Sequence, residues 1–385
     1  MANSIFATIN YVRNTLFNPV VSGGAWDSQQ SLEKLLNSNL LDVAVSQGDS
    51  VNNTKFDVDL GVLRAARIFA IPDNVRSFNP SLDARHRIRA TRDPKWNGIQ
   101  VAANVTSGST ILPVKEVLGS AQVIDDGDTF SVRTFLPTGE PVWATYKVVT
   151  GASLSALGSA SITISESFAY NHENNDRVDC NVGDFTNPEL VIDWEDIFSI
   201  IYPYGSLPWW NSSVFTGKPS EDDRLTLPFP VIKTFRAIVA RYWRYEIDDE
   251  GNRPWDQANL QLPYLFIGNG YQPSVNPSYQ GTSLDFITES NVDRTIGGRR
   301  IVGVEPTARK FVASFQSIGK NESFLQAFDT QWLNSLDDEM LFIFDPDDTK
   351  LMHRRAFLAT LEKKRPITFP FFNHNDFNIE IVEVL

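Results

Sequence analysis

The chain has 385 residues, enough for two or three domains that each bury a core. Its 34 lysine and arginine residues against 47 aspartate and glutamate residues give a net charge of −13. This argues against a general nucleic-acid-binding protein, because such proteins need a basic face. The single cysteine, Cys180, excludes an intrachain disulfide framework, and no apolar run approaches the roughly 20 residues of a membrane span.

The first predicted elements are a strand and a short helix. Residues 1–25 combine an apolar-polar pattern with the turn residues Ser22-Gly23-Gly24, which predicts a first strand tied into a sheet. An arm that packs on a neighbouring subunit is the alternative. Residues 28–41 predict a short helix with Ser31 as its N-cap. Its apolar stripe consists of Leu32, Leu35, Leu36 and Leu40 or Leu41.

Three strands are predicted next, at residues 56–61, 67–74 and 86–91. The first and third alternate between apolar and polar residues, which is the period of a half-buried strand. The second is a continuous apolar run closed by proline, aspartate and asparagine, as expected for a strand buried on both faces.

Residues 100–171 have a different composition, rich in serine, threonine and glycine and poor in charge. Short alternating runs between turn clusters predict a small all-β module of about five strands, inserted in a loop of the surrounding domain. One turn contains Asp125, Asp126 and Asp128, which suggests a calcium loop. It lacks the distal glutamate and the length of an EF-hand loop, so a solvated turn is the preferred interpretation.

Long aromatic loops follow in residues 172–235. Tyr202, Tyr204, Trp209 and Trp210 lie in segments bounded by proline and glycine, where adjacent tryptophans rarely both enter a core. Because aromatic side chains are enriched at interfaces, these four residues are the candidate binding site for a protein partner. Stacking on a sugar ring and internal packing of a long loop are the alternatives.

Residues 241–247 alternate between two faces. Tyr242, Arg244 and Glu246 share one face, whereas Trp243, Tyr245 and Ile247 share the other. This aromatic and β-branched run predicts a half-buried strand, and a second strand is predicted at residues 265–268 after an acidic turn.

A last domain is predicted after a linker at residues 273–278. Its helix covers residues 321–333, with Asn321 as the cap and an aromatic stripe that includes Phe324, Phe328 and Trp332. The predicted strands are 299–306, 309–315, 340–344, 354–361 and 378–385. The last strand is a candidate for pairing with the sheet of another subunit.

No pattern of catalytic residues is present. The four histidines, His86, His172, His353 and His374, have no partner group at a useful spacing, and there is no nucleophile elbow, phosphate loop or zinc motif. The acidic run at 345–348 is interpreted as a strand-ending turn that pairs with Arg354 or Arg355. The sequence therefore predicts neither an enzyme nor a metal site, and no cofactor is expected.

The order of these motifs resembles two known protein classes. The strands at 56–61, 67–74 and 86–91, with "ARYWR-x-E-I" and "LFIG" far downstream, resemble the two halves of a discoidin-like (galactose-binding-like) β-sandwich. The module with "G-S-T-x-L-P-V" and "G-D-x-F" resembles barrel inserts of bacteriophage virion proteins. The whole layout, including "F-I-F-D-P-D-D-T" and "H-R-R-A-F-L", resembles tail-tip structural proteins of long-tailed bacteriophages.

This resemblance implies a mainly β fold: a discontinuous sandwich in residues 1–100 plus 172–272, a small β-barrel in 101–171, and an α+β domain in 273–385. It also implies a non-enzymatic virion protein of the tail tip or baseplate, assembled in the host cytoplasm. Multiple copies in a symmetric assembly would contact other tail proteins and tail fibres, with no nucleic acid partner. A carbohydrate-binding host-recognition module is the alternative, because that sandwich family often binds glycans through its loops.

Overall fold

The computed structural model describes residues 3–13, 19–37, 39–135, 141–203, 206–207, 213–220, 222–223, 227–250, 259–278, 281–288, 291–294, 300–303, 307–332, 336 and 338–385; for residues 135, 141, 291–294, 300–303 and 371 it describes the backbone alone. Within these ranges the chain is mainly β, and strands far outnumber helices. The fold class predicted from the sequence, a mainly β chain with a small barrel insert and a C-terminal α+β part, is confirmed.

Twenty-five strands form in the described part of the chain. The first are β1 (Ile5–Asn10), β2 (Val20–Ser22), β3 (Ala44–Val45), β4 (Phe56–Ile71) and β5 (Arg85–Thr91). Next come β6 (Ile99–Val101), β7 (Ile111–Glu116), β8 (Gln122–Ile124), β9 (Thr129–Phe135), β10 (Pro141–Thr150), β11 (Ala152–Leu154), β12 (Ser159–Ile164) and β13 (Arg177–Cys180). Then follow β14 (Glu189–Asp196), β15 (Val231–Asp248), β16 (Gln261–Leu262) and β17 (Phe266–Tyr271). The last are β18 (Ser283–Thr288), β19 (Asn291–Arg294), β20 (Arg300–Gly303), β21 (Thr307–Gly319), β22 (Glu339–Ile343), β23 (Ala356–Leu361), β24 (Ile367–Phe371) and β25 (His374–Glu383).

The helices are short. Two 3₁₀ turns cover Tyr11–Arg13 and Leu32–Leu36, and α1 and α2 cover Val51–Thr54 and Ser213–Thr216. Helix α3 runs from Lys320 to Trp332 and contains a π-helical segment at Ser323–Ala327. Helix α4 covers Met352–Arg355.

One antiparallel sheet of 13 strands organises the described residues. Its order is β14-β5-β15-β4-β17-β1-β22-β23-β25-β21-β18, with β2 also paired to β4 and β24 also paired to β25. We call β14-β5-β15-β4-β17 the first half of this sheet and β22-β23-β25-β21-β18 the second half. Strand β1 pairs with β17 on one side and β22 on the other, so it joins the two halves.

The first three residues of β1, Ile5–Ala7, are buried on both faces, in keeping with the position of the strand in the middle of the sheet. Ile5 and Ala7 pack on one face with Ile68, Phe266 and other apolar residues of both halves. Phe6 faces the opposite core, where it contacts Phe315 and Phe342 with ring centroids 5.8 and 5.4 Å apart. The predicted first strand is therefore present.

A second link between the halves comes from Asn74, at the end of the second predicted strand. Its side-chain amide donates to the carbonyl oxygens of Leu358 at 2.8 Å and Val384 at 2.7 Å. The Leu358 N–H in turn donates to the Asn74 side-chain oxygen at 3.1 Å. Asn74 thus satisfies three hydrogen bonds across the junction, where an unpaired backbone group would be costly.

The inserted module is a closed barrel with the strand order β10-β12-β7-β6-β13-β9. The barrel encloses its own apolar core, which includes Leu112, Phe130, Val132, Tyr146 and Ile162. Its strands extend from Ile99 to Cys180, and Cys180 is a buried free thiol.

The strands predicted separately at 56–61 and 67–74 form one strand, β4. Three further local predictions were wrong. The predicted helix at 28–41 is only the 3₁₀ turn Leu32–Leu36, and the Ser31 side chain makes no capping hydrogen bond. Arg354 and Arg355 lie in α4, so the strand predicted from 354 starts at Ala356. The C-terminal strand β25 is paired on both sides within the chain, with β21 and with β23 and β24, which leaves little edge for another subunit.

Two other predictions are affected by the described ranges. The predicted helix at 321–333 forms as Lys320–Trp332, so Asn321 lies inside it rather than at its cap. Leu333, and Arg299 and residues 304–306 of the strand predicted at 299–306, lie outside the described residues.

Candidate functional site

Strand β15 has the two faces that its alternation predicts. Trp243, Tyr245 and Ile247 are fully buried in the core of the first half. On the other face, Arg244 donates to both carboxylate oxygens of Asp57 on β4, and Glu246 accepts from Arg87 and Arg89 on β5 at 2.8 and 2.7 Å. Arg241 makes the same two-bond contact with Asp59, at 2.7 and 2.8 Å.

Aromatic rings cover this charged face. The guanidinium carbon of Arg244 lies 4.1 Å from the centroid of Phe185, and that of Arg87 lies 4.7 Å from the centroid of Trp194. Asp57 and Asp59 are almost completely buried, and burial raises the pKa of Asp59 against the opposing effect of Arg241. The charges of this face are therefore paired within the chain and support the fold.

His86 is also held within the fold. Its Nδ1 lies 2.9 Å from the Tyr245 hydroxyl and its Nε2 lies 3.1 Å from Glu195, which also binds Lys233 at 2.6 Å. Burial lowers the pKa of His86, while the hydrogen bond from His86 lowers the pKa of Glu195 to about 2. Since both ring nitrogens have partners and the ring is fully buried, His86 is a core histidine.

The acidic turns have internal partners too. Asp128 accepts from Lys95 at 2.8 Å, from the Trp96 indole at 3.0 Å and from the Asp125 N–H at 3.0 Å. Asp348 pairs with Arg355 at 3.1 Å, as predicted. Within the described residues, no cluster of three or more histidine, cysteine, aspartate or glutamate side chains is placed to hold a metal ion.

Of the four predicted binding residues, only Tyr202 lies in the described part of the chain. It is half-buried, its N–H donates to the Gly217 carbonyl at 3.0 Å, and burial together with Asp223 raises the pKa of its hydroxyl. Tyr204, Trp209 and Trp210 lie outside the described residues. Beside Tyr202, the side chains of Ile200 and Phe215 are exposed, Phe215 by 87%.

The segment that leads into β15 meets helix α4 at His353. This ring stacks on Phe229 with centroids 5.2 Å apart and planes 20° apart. Burial lowers the pKa of His353 to about 4, and the neighbouring Arg354 adds to this effect. His353 is therefore neutral at pH 7, and its environment disfavours the imidazolium form.

Among the described residues, a group of exposed aromatic side chains lies on α3 and on the turn and strand next to it. We call it the aromatic face; its members are Phe324, Leu325, Phe328, Trp332, Phe369 and Phe372, all exposed. The rings stack in pairs: Phe328 on Trp332 at 5.5 Å and 14°, and Phe324 on Phe369 at 5.8 Å and 15°. The Lys320 ammonium lies 5.2 Å from the Phe372 centroid at its rim.

Helix α3 turns its small and polar side toward the sheet. Ser323, Ala327, Thr330 and Gln331 are the buried residues, and the Gln331 amide donates to the Asn378 carbonyl at 3.1 Å. This arrangement is the reverse of an ordinary amphipathic helix, whose apolar stripe faces the core. The spacing of Ser323, Ala327 and Thr330 is the sequence signal that marks the buried side, and it was missed because the aromatic stripe is the stronger pattern.

Comparisons with known proteins give little beyond this geometry. No protein-family model matches the chain, and no curated protein sequence matches it. Among solved structures, a Family 89 glycoside hydrolase from Clostridium perfringens aligns at 9% identity with a TM-score of 0.24. That alignment covers 70% of this chain and 16% of the hydrolase. CpGH89CBM32-4, also from Clostridium perfringens, aligns at 8% identity with a TM-score of 0.23, covering 68% of this chain and 99% of the other.

Both scores are too low for an argument about fold or function, and the chain spans only a small part of the hydrolase. A separate finding concerns membranes: none of the helices in the described ranges has the length and apolar character needed to cross one.

Proposed function

We propose that this chain is a non-enzymatic structural protein that works through protein–protein interfaces, in the tail tip or baseplate of a long-tailed bacteriophage. The aromatic face carries the first part of this proposal. A soluble protein rarely leaves a contiguous set of large aromatic side chains in water unless a partner covers them. The order of motifs along the sequence supports the second part.

The composition of the aromatic face favours a protein partner. Tryptophan and phenylalanine are enriched in interface centres, where full burial of each large apolar side chain contributes about 1.5–3 kcal/mol. Trp332 is 68% exposed and Phe372 is 86% exposed, so most of their surface is still available for such burial. Lys320 at the rim supplies the charged border that protein interfaces usually have.

The continuous sheet also suits a linking role. Strand β1 hydrogen-bonds to both halves, so a partner bound at the aromatic face would be held in a fixed position relative to the first half. The barrel is inserted between β5 and β14 of that first half, and the exposed side chains of Ile200 and Phe215 follow β14; both offer further surface for tail proteins or fibres.

The test is incorporation into phage particles. A phage that lacks this gene would be complemented with wild-type protein, with Leu325→Glu/Trp332→Glu, or with the control Leu63→Glu, which changes an exposed leucine on β4 in the first half of the sheet. Antibody labelling viewed by electron microscopy should place the wild type and the control at the tail tip. The double variant should be absent from particles and remain soluble.

Incorporation of the double variant at the wild-type level would contradict the interface at the aromatic face. Absence of the wild-type protein from particles would contradict the virion assignment itself. The carbohydrate-binding alternative is tested separately, by glycan binding of wild-type protein against Trp209→Ala/Trp210→Ala. Saturable binding of a sugar that this double variant loses would favour a host-recognition module.

A further inference from the structure

A cavity of about 490 Å³ opens beside the edge strand β18, in the second half of the sheet. Three phenylalanine rings, Phe311, Phe342 and Phe344, form its apolar wall. Phe311 packs on Phe342 with centroids 4.4 Å apart and meets Phe344 edge-on at 5.7 Å. This volume lies within the range of about 300–1,000 Å³ that is usual for small-molecule sites.

The three rings are held by the core behind them. Phe311 and Phe342 are fully buried members of the apolar core of the second half, and Phe344 packs against that core. Leu284 of β18 pairs with Phe311 of the neighbouring strand β21 and is 42% exposed. It therefore forms an accessible side of the cavity. The cavity thus combines a rigid wall with an open entrance.

Two polar groups of the cavity are suited to a ligand. The Thr282 hydroxyl is buried and has no hydrogen-bond partner, although buried polar atoms are normally paired. Arg355 supplies the only charge among the described lining residues. Asp348, at 3.1 Å, accounts for one of the five N–H donors of this guanidinium, and the Arg355 guanidinium carbon lies 5.6 Å from the centroid of Phe344.

From this geometry we infer that the cavity binds a small amphipathic carboxylate, whose apolar chain or ring lies on the phenylalanine wall and whose carboxylate reaches Arg355. The inference does not depend on the proposed virion function. A carboxylate matches the paired donors of a guanidinium better than a neutral group does. A carboxylate oxygen near the cavity wall would also accept from the Thr282 hydroxyl, which otherwise has no partner.

The charge of the cavity supports an anion over a neutral ligand. The chain carries a net charge of −13, yet the described lining of this cavity contains a cation and no acidic side chain. An anionic ligand would thus meet the Arg355 guanidinium, which Asp348 pairs at one N–H and which keeps further donors for a ligand. Its neutral counterpart would gain only the apolar contacts.

The experiment uses two probes, octanoate and octan-1-ol, titrated into the full-length protein and followed by calorimetry. We expect saturable one-to-one binding of octanoate and at least tenfold weaker binding of octan-1-ol. The variant Arg355→Gln should weaken octanoate binding about tenfold and leave octan-1-ol unchanged, because a charge-assisted contact is lost. Arg354→Gln is the matched control, since it removes the same charge from the preceding residue of α4, which does not line the cavity.

A second variant tests the cavity without touching its charge. Leu284→Trp places a large ring at the exposed entrance and should abolish octanoate binding, while circular dichroism shows whether the fold is kept. Thr282→Val replaces the side chain with one of nearly the same shape. It should weaken octanoate binding a few-fold because the hydroxyl is lost.

Three results would overturn the inference. They are no saturable octanoate binding by the wild type, equal weakening by Arg355→Gln and Arg354→Gln, or full binding by Leu284→Trp. If Arg355→Gln does not fold, the comparison of octanoate with octan-1-ol on the wild type and on Leu284→Trp decides the question.

Discussion

The first half of the sheet and helix α3 differ in which side chains they bury and which they expose. On β15, Arg241, Arg244 and Glu246 lie among neighbouring strands and are paired with buried or half-buried partners. On α3, Phe328 and Trp332 point away from the core, while Ser323 and Ala327 are buried. Charged side chains are therefore covered on β15, whereas aromatic side chains are exposed on α3.

The comparison shows that residue type alone does not say which face of an element is exposed. A charged side chain is tolerated in a covered position when a partner satisfies its hydrogen bonds and its charge. An exposed aromatic side chain contributes little to folding, and it stabilises a complex only when a partner covers it. The charged face of β15 therefore serves the fold, whereas the aromatic face of α3 is available for a partner.

The largest expected effect comes from unpairing the covered charges. Arg244→Met leaves the almost buried Asp57 without its two-bond partner, and we expect the free energy of unfolding to fall by about 3–5 kcal/mol. Urea unfolding followed by tryptophan fluorescence measures this loss. The double variant Arg244→Met/Asp57→Leu should recover most of it, since no buried charge remains unpaired. Equal destabilisation by the single and double variants would show that the pairing is not the cause.

A second change weakens the connection between the halves of the sheet. A Cβ atom on Gly268 of β17 would lie 1.8 Å from the Ile9 carbonyl oxygen of β1, closer than atoms can approach. Gly268→Ala should therefore shift β1 and lower the free energy of unfolding by about 1–3 kcal/mol. Gly119→Ala is a control for added side-chain volume, since a Cβ atom there meets open space, although its positive φ adds some strain. A Gly268→Ala protein as stable as the wild type would contradict the close approach.

The third prediction concerns pH at the junction. The pKa of His353 is about 4 in the folded state against an ordinary value of 6.5, so below pH 6.5 the unfolded chain binds more protons than the folded one. Stability should fall as the pH drops from 6.5 toward 4, by about 1–2 kcal/mol at pH 5 from this group. Urea midpoints at pH 7, 6 and 5 measure the loss.

The variant His353→Gln provides the control for this pH dependence. Glutamine cannot be protonated in this range. The variant should therefore lose less stability between pH 7 and pH 5 than the wild type, and the difference is the contribution of His353. An unchanged slope would assign the pH dependence to other groups. Glu195 and Glu380, whose pKa values are lowered to about 2, affect stability only below about pH 4.5.

Below that pH, protonation removes the hydrogen bond of Glu195 with His86 and the ion pairs of Glu380 with Lys310 and Arg365.

The smallest effect on stability is expected at the aromatic face. Leu325→Glu/Trp332→Glu replaces exposed side chains, so the free energy of unfolding should change by no more than about 0.5 kcal/mol per site. Thermal unfolding of the purified protein measures this. A large loss of stability would show that the aromatic face supports the fold of the isolated chain and would weaken its role as an interface.

Part of the fold and of the site was predictable from the sequence. Period-two alternation predicts the two faces of β15 and, with turn residues, the first strand. Short-range spacing predicts the pairing of Asp348 with Arg355. The helix at 28–41 was wrong because a leucine stripe without a working cap forms only a 3₁₀ turn here. The predicted binding residues Tyr204, Trp209 and Trp210 remain predictions, and the aromatic face and the phenylalanine cavity were not predicted.

The sequence by itself determined the periodicity of each element, because side chains alternate along a strand and repeat along a helix through local backbone geometry. It also determined the acidic balance of the chain and the residues that end its strands. Only the tertiary structure decided which side of each element is covered. Asp57 and Arg244 are 187 residues apart, and their contact exists because β4 and β15 pair in one register. The outward direction of α3 likewise depends on contacts of its small and polar side with β25, which outweigh the stronger aromatic pattern of the helix.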